Sequence, residues 1–401
     1  MIKKKIWILN YIKEDLQSVN QISRNLSRLY FSLPENEYEI LELKLIDPES
    51  NKTGEAGLRE LLLNYKKDTP DHVAIINPGV VAHPFFSSIL NIKVAHEPQY
   101  LFHVFGNFVR NAKTWYGLSS ALINKNVQFV AASICYKEVL SHFIAMKNLS
   151  LLPFMIDQAF EQINVSNEDE VSNSLKILYA GRYHEQKNVT LLIKFLSLYA
   201  KLSSRNIQLS LITYFDDFNP TTVISNSKQG NQYKAYVAAL NHVSQNFSVR
   251  LLPHQDVQEL KKSYSAHDVF MSFSTFFDED FGMAIMESLS QGTPCIVSSW
   301  GGYKDFIREF PDDCFGLNVS LEQKGLYLST EKFQDYMEII SKKTTSDRLN
   351  LSEKIKKYNG SAKIQEELKK IFTKKSCFKQ FDPSLLDIKI EDVYNSFWKT
   401  S

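Results

Sequence analysis

Two carboxylates stand out in the stretch EDFGMAIMESLSQGTPCIVSS, residues 279–299. Glu279 sits in a loop after the apolar run VFMSFS (269–274). Glu287 lies inside the apolar helical run that Gly282 opens, flanked by Met286 and Leu289. A carboxylate buried without partners is expensive, so Glu287 should accept hydrogen bonds. Vicinal ribose hydroxyls are suitable donors; an exposed helix face or a bond to neighbouring backbone would serve as well. Glu279 alone also reads as an ordinary polar loop residue. A glycosidase pair would place its carboxyls ~5–9.5 Å apart, whereas eight helical residues rise ~12 Å. The spacing better suits one residue at a nucleoside and one at a sugar. Gly282 permits close approach of a ligand to the first amides of the helix.

A second pattern lies upstream. ILYAGRYHEQKNVTLLIKFLSLYAKL (177–202) reads as strand, loop and helix. Asn188 suits the N-cap, and Leu191, Leu192, Phe195, Leu196 and Tyr199 form an apolar stripe. Lys187 then lies at the positive end of a helix dipole, unfavourable by ~0.3–1 kcal/mol unless an anion binds there. A diphosphate would take the bidentate Arg182, the point charge of Lys187 and helix amides together. Two solvated surface cations would read the same.

The elements that position these residues alternate. Strand candidates in the first half are KIWILN (5–10), YEILELKL (38–45), HVAIIN (72–77), KVAHE (93–97), LFHVF (101–105) and QFVAAS (128–133), with helical patterns at 17–33 and 133–146. Those in the second half are KILYAG (176–181), IQLSLIT (207–213), VRLLP (249–253), VFMSFS, PCIVSS (294–299) and FGLNV (315–319). Alternating strands and helices predict parallel sheets covered on both faces, here two doubly wound domains in series. Residues 158–174 are polar and acidic and read as a linker; 216–234 reads as a long loop.

The 401 residues exceed one ordinary core. Charge is balanced, 46 basic residues against 45 acidic, so no bulk field points to nucleic acid. Lysines cluster at Lys3 to Lys5 and along 354–375, as a solvated face or as an attraction to an anionic membrane surface. Cys135, Cys295, Cys314 and Cys377 are scattered, suggesting neither a zinc site nor a disulfide framework, and a reducing cytoplasm fits. The apolar stretch after the basic start breaks at Asn10 and Lys13, too short for export or a membrane span.

At this point a resemblance enters. EDFGMAIMESLSQGTPCIVSSWGG resembles the E-x7-E signature of retaining GT-B glycosyltransferases, glycosyltransferase family 4 above all. That signature runs Glu-Gly-Phe-Gly, an apolar helix with the second Glu, Gly-x-Pro-Val-Ile and Gly-Gly. Here it is matched by Glu279-Asp280-Phe281-Gly282, Glu287, Gly292-Thr293-Pro294 and Gly301-Gly302. GRYHEQKN resembles the family's phosphate loop at Arg182 and Lys187. The resemblance covers about 175–320. It implies an α/β GT-B fold, two Rossmann-like domains facing a cleft. It also implies a donor diphosphate on Arg182 and Lys187, the transferred sugar at Glu279 and the ribose at Glu287. Phe281, Gly282 and Met283 would line the donor. In the first half, VAASICYKEVL resembles the strand and helix before the family's linker. LFHVFGNF stands where the family carries an active-site histidine after a strand, making His103 the candidate and His96 the runner-up. Either histidine reads equally as a structural, hydrogen-bonded residue. The family's glycine-rich turn after the first strand is replaced by NYIKEDLQSVN, and Asp280 stands for a glycine.

The implied domains are 1–157 for the acceptor, 158–174 as linker, 175–375 for the nucleotide sugar, and 376–401 packing back on the first domain. The implied reaction moves a hexose-type sugar from a nucleotide-diphosphate sugar to a glycan or lipid-linked acceptor, in cell-surface polysaccharide or lipopolysaccharide synthesis. Retaining members of this fold let the leaving phosphate take the acceptor proton, with His103 orienting the sugar. No metal and no cofactor are then required; DED at 278–280 imitates a metal motif but lies inside the glutamate signature. No nucleic-acid partner is expected. The expected location is the cytoplasm, with peripheral contact at the inner membrane face. A sugar-nucleotide epimerase, a non-catalytic partner subunit and a phosphorylase-type enzyme remain alternatives, the last without a lysine suited to a pyridoxal cofactor.

Overall fold

The computed structural model describes residues 3–12, 17–46, 62–76, 84–106, 108–109, 111–163, 174–213, 236, 238–240, 243–276, 279–322 and 325–388. The chain divides into two compact units, residues 1–155 with 359–401 and residues 156–358. The expected limit at 157 lies two residues from this division, and the one at 375 lies further from it. The return to the first unit begins at Asn359, not at 376, so the helix Ser361–Phe372 belongs to that unit. The expected loop 216–234 and most of the expected linker lie outside the described residues.

The first unit holds β1 (Lys4–Ile12), β2 (Tyr38–Ile46), β3 (His72–Ile76), β4 (Gln99–Val104), β5 (Asn126–Ala131) and β6 (Leu149–Leu151). They form a parallel sheet in the order β2-β1-β3-β4-β5-β6. HVAII and QYLFHV are buried along their whole length, as expected of parallel strands covered on both faces. KVAHE is not a strand: its residues are mostly exposed, Val94 is its one bulky apolar side chain, and Pro98 follows. The three-residue β6 is too short to show a period and was not legible. The helix Gln17–Phe31 buries Ile22, Leu26, Leu29 and Tyr30 at three- and four-residue spacing.

The returning carboxyl-terminal segment is built into this unit. Phe372 stacks on His72 at 4.2 Å and meets Tyr30 and Tyr38. Gln99 Nε2 donates to the carbonyls of Ile371 and Lys374, both at 2.9 Å, while its Oε1 faces His72 Nδ1 at 3.0 Å. Further along, the Phe378 amide donates to the Lys125 carbonyl, and Phe378 and Phe381 pack on Phe129.

The second unit holds β7 (Ser174–Ala180), β8 (Asn206–Ile212), β9 (Phe247–Leu252), β10 (Val269–Ser272), β11 (Cys295–Ser298) and β12 (Cys314–Leu317). They are all parallel, in the order β12-β11-β10-β7-β8-β9. Successive strands step outward from β7 on one side and from β10 on the other. The order therefore reverses between these two neighbours, which opens a crevice at their carboxyl ends. The run FGLNV breaks at Asn318: β13 (Val319–Glu322) turns back on β14 (Gly325–Leu328) as a short antiparallel pair. Ile177, Tyr179, Leu192, Ile193, Leu196, Leu209, Met271 and Ile296 are core residues of this unit. Cys135, Cys295 and Cys314 are buried thiols, and Cys377 is exposed.

Gln99 tests how the carboxyl-terminal segment is held. Gln99→Leu removes the donor from two carbonyls and should cost ~1–3 kcal/mol. Thermal unfolding should show a clear fall in Tm; an unchanged Tm would mean that the segment is held by its aromatic contacts and its other backbone bonds without Gln99.

Candidate functional site

The two motifs, about a hundred residues apart in sequence, meet at the reversal point of the second sheet. β7 runs into the loop 181–188 and β10 into the loop 273–282. These loops are bonded to each other. The Thr275 amide donates to the Gln186 carbonyl at 2.9 Å. Asn188 Nδ2 donates to the Phe273 carbonyl at 2.8 Å and to Thr275 Oγ1 at 2.9 Å. Asn188 does take the N-cap position of the helix Val189–Ser203, but it adopts a left-handed conformation (φ +53°) and its side chain makes no capping bond. Its amide is spent on the neighbouring loop instead.

Across this junction Lys187 Nζ meets Glu279 Oε2 at 2.5 Å. Ser274 Oγ donates to the same oxygen at 2.6 Å. Both side chains of the ion pair are largely covered, 17% and 11% exposed, so the pair is screened less than a surface one. Oε1 of Glu279 has no hydrogen-bond partner among the described residues. Lys187 Nζ also stands 5.6 Å from the centre of the Phe276 ring.

The backbone of Glu279 is fixed by the glycine doublet. The Gly302 amide donates to the Glu279 carbonyl at 2.7 Å. A Cβ at Gly301 would stand 2.2 Å from that carbonyl oxygen, and Gly301 has φ +50°. A Cβ at Gly302 would stand 2.5 Å from the backbone of Asp280 and Phe281. Gly282, at φ +109°, opens the helix Met283–Ser290 with the Tyr303 ring where its Cβ would be, 2.8 Å away. Tyr303 in turn shares a 3.1 Å hydrogen bond with Ser272 Oγ. Burial, and then the charge of Glu279, push its phenol well above the ordinary range, so it stays protonated.

Glu287 is buried at 6% exposure within that helix and accepts from the Tyr264 hydroxyl at 3.1 Å. Burial and the Glu287 charge raise the Tyr264 phenol strongly, which keeps it a donor. Tyr264 is held in turn by Thr293 Oγ1, which donates to its carbonyl at 2.7 Å. Glu279 and Glu287 thus have separate partners: one is set by a lysine and a serine, the other by a tyrosine. Ser274, Thr275, Tyr264 and Tyr303 had no signal in the sequence, since their roles depend on strand neighbours and not on spacing.

Arg182 is half-buried, and its carbonyl accepts from the Tyr179 hydroxyl at 2.8 Å. Phe281 is buried edge-on against Phe306, 5.1 Å away, and Met283 is half-buried in the first turn of its helix. Asp278 lies outside the described residues. His103 belongs to the first unit and sits inside β4, not after it. Its Nε2 shares a 2.7 Å hydrogen bond with Tyr30, and burial pushes its pKa down to about 3. It is therefore a neutral imidazole at pH 7, taken up by a buried phenol. His96 is exposed on the loop before β4.

No curated protein sequence matches the chain. Residues 161–316 match the family model for glycosyl transferases group 1. That span contains both loops and both glutamates. Solved structures match the chain almost end to end. A glycosyltransferase from Rickettsia africae ESF-5 has 14% identity and a TM-score of 0.58, covering 92% of this chain and 98% of that one. The lipopolysaccharide outer core galactosyltransferase WaaB has 16% identity and a TM-score of 0.56, with the same coverages. An alpha,alpha-trehalose 6-phosphate synthase from Burkholderia multivorans has 10% identity and a TM-score of 0.58, again covering 92% and 98%. The fold is that of the GT-B glycosyltransferases. The loops that carry Lys187 and Glu279 leave the sheet at the reversal point between β7 and β10, inside the matched span.

Gly301 tests the seat of Glu279. Gly301→Ala meets the Glu279 carbonyl and a left-handed backbone that alone costs ~1–3 kcal/mol. A lowered Tm is expected from thermal unfolding. A wild-type Tm would show that the loop yields to the extra methyl group.

Proposed function

We propose that the chain is a nucleotide-sugar-dependent glycosyltransferase. It moves a hexose-type sugar, with retention, from a nucleotide-diphosphate sugar to a glycan or lipid-linked acceptor. The observation that carries this reading is the Lys187–Glu279 pair, formed between two loops at the sheet reversal, inside the span that matches the family model. It sets a cation for a phosphate beside a carboxylate for a sugar hydroxyl.

In this reading Arg182 and Lys187 take the donor diphosphate, with the amides at Gly282 and Met283. Without ligand, Lys187 is neutralised by Glu279. A diphosphate beside the pair places Lys187 between two anions, where it offsets the charge that grows as the glycosidic bond breaks. Glu279 Oε1 accepts from the transferred sugar. Glu287, oriented by Tyr264, accepts from the ribose, and Phe281 backs the loop from the core. The leaving phosphate takes the acceptor proton on the same face of the sugar. The reading uses no metal or cofactor, the cations being Arg182 and Lys187. His103, neutral and bonded to Tyr30, is given a packing role in the first unit and not a catalytic one. A lipopolysaccharide or other cell-surface glycan as acceptor agrees with what one structural neighbour is named for.

Calorimetry of the full chain with UDP, GDP and ADP should reveal binding of at least one of them; no binding of any would sink the reading. With the true donor, Arg182→Ala and Lys187→Ala should each lower turnover by ~10²–10³. Glu287→Gln should weaken nucleotide affinity and leave turnover of the bound donor nearly intact. Glu279→Gln should lower turnover with affinity little changed, because it faces the sugar whose charge changes in the transition state. The opposite pattern would exchange their roles, and no effect from either would make both carboxylates structural.

A further inference from the structure

The helix Val189–Ser203 is apolar on two faces. Val189, Leu192, Ile193, Leu196 and Ala200 are buried in the second unit. Leu191, Leu198 and Leu202 point away from them and are 43%, 57% and 78% exposed. At the helical repeat these three fall within an arc of ~40°. Lys194 and Lys201 run along one side of the stripe, both exposed, and neither forms a salt bridge among the described residues. On the other side Phe195 and Tyr199 pack on Phe333, with ring centres at 4.6 and 5.0 Å, and the charges of Arg205 and Glu338 both act on Tyr199. The helix itself contains no Asp or Glu.

The other lysine-rich stretches differ in this respect. Lys5 pairs with Asp68, Lys356 with Glu353, Lys363 and Lys370 with Glu367, and Lys369 with Glu37. These five lysines are paired within the protein. Among the described residues Lys194 and Lys201 form no such pair, and they lie beside exposed leucines.

We propose that this outer face of the helix Val189–Ser203 docks on an anionic lipid surface. Leucines flanked by lysines are the pattern of a helix lying in a membrane interface, the apolar stripe among acyl chains and the ammonium groups at the phosphates. A second copy is the poorer occupant. A two-fold pairing would bring the same lysines against each other, and three leucines fall well short of the ~800 Å² per partner of a stable protein interface. The proposal concerns a surface that the donor reading does not use, and it stands without that reading.

The test is co-sedimentation of the full chain with vesicles of phosphatidylcholine alone, or of equal parts phosphatidylcholine and phosphatidylglycerol. Three proteins are compared: wild type, the combined Leu191→Gln, Leu198→Gln and Leu202→Gln variant, and the combined Lys194→Glu and Lys201→Glu variant. Circular dichroism confirms that each is folded. Wild type should pellet with the anionic vesicles only, and each variant should bind at least about tenfold more weakly. Failure of wild type to bind, or equal binding by the leucine variant, overturns the proposal. A wild-type dimer in solution that the leucine variant converts to monomer overturns it in favour of a second copy.

Discussion

The second unit is organised around one constraint: a lysine and a glutamate from different loops must meet with little water between them. Such a pair repays its desolvation only if its geometry is fixed from all sides. Much of the surrounding sequence does this fixing. Asn188 and Thr275 bind the loops together, Ser274 shares the carboxylate oxygen, and Gly301 and Gly302 let a neighbouring turn close on the Glu279 backbone. Tyr303 fills the space that a side chain at Gly282 would take. Without the pair, these features would be a set of unrelated loop details.

The sheet order makes this meeting possible. β7 and β10 are neighbours although about ninety residues separate them, and both loops leave from their carboxyl ends. A reversal between them leaves room above the sheet, where crossing helices would otherwise cover it. The same arrangement separates the two glutamates. The loop places Glu279 beside Lys187, while the following helix carries Glu287 down to Tyr264.

Strand and helix alternation was legible because buried parallel strands are written as apolar runs, as in HVAII and CIVS. KVAHE misled because a short mixed run has no period to test, and β6 was missed for the same lack of length. In the site, Glu287 was legible because a charge in an apolar helical run is conspicuous, and Lys187 and Glu279 because they fall in motifs that resemble those of a known family. Their partners were not. Which hydroxyl serves which carboxylate follows from strand pairing, as with Tyr264 and Ser274. His103 shows the converse: spacing gave no sign that its Nε2 is bonded to the buried Tyr30 hydroxyl. That the helix Ser361–Phe372 joins the first unit was not legible, because it has the amphipathic pattern of any surface helix, and nothing in that pattern names the sheet it covers.

That helix also sets an order of events during synthesis. The second unit is one continuous stretch, 156–358, whereas the first is assembled from two stretches on either side of it. As the chain leaves the ribosome, the later-made unit has all its strands before the earlier-made one has Phe372 to cover His72, Tyr30 and Tyr38. The usual amino-terminal-first sequence is therefore partly inverted. The nascent first unit carries an uncovered aromatic patch for the time needed to translate some two hundred residues, and this is the interval in which a chaperone or a neighbouring chain would find it.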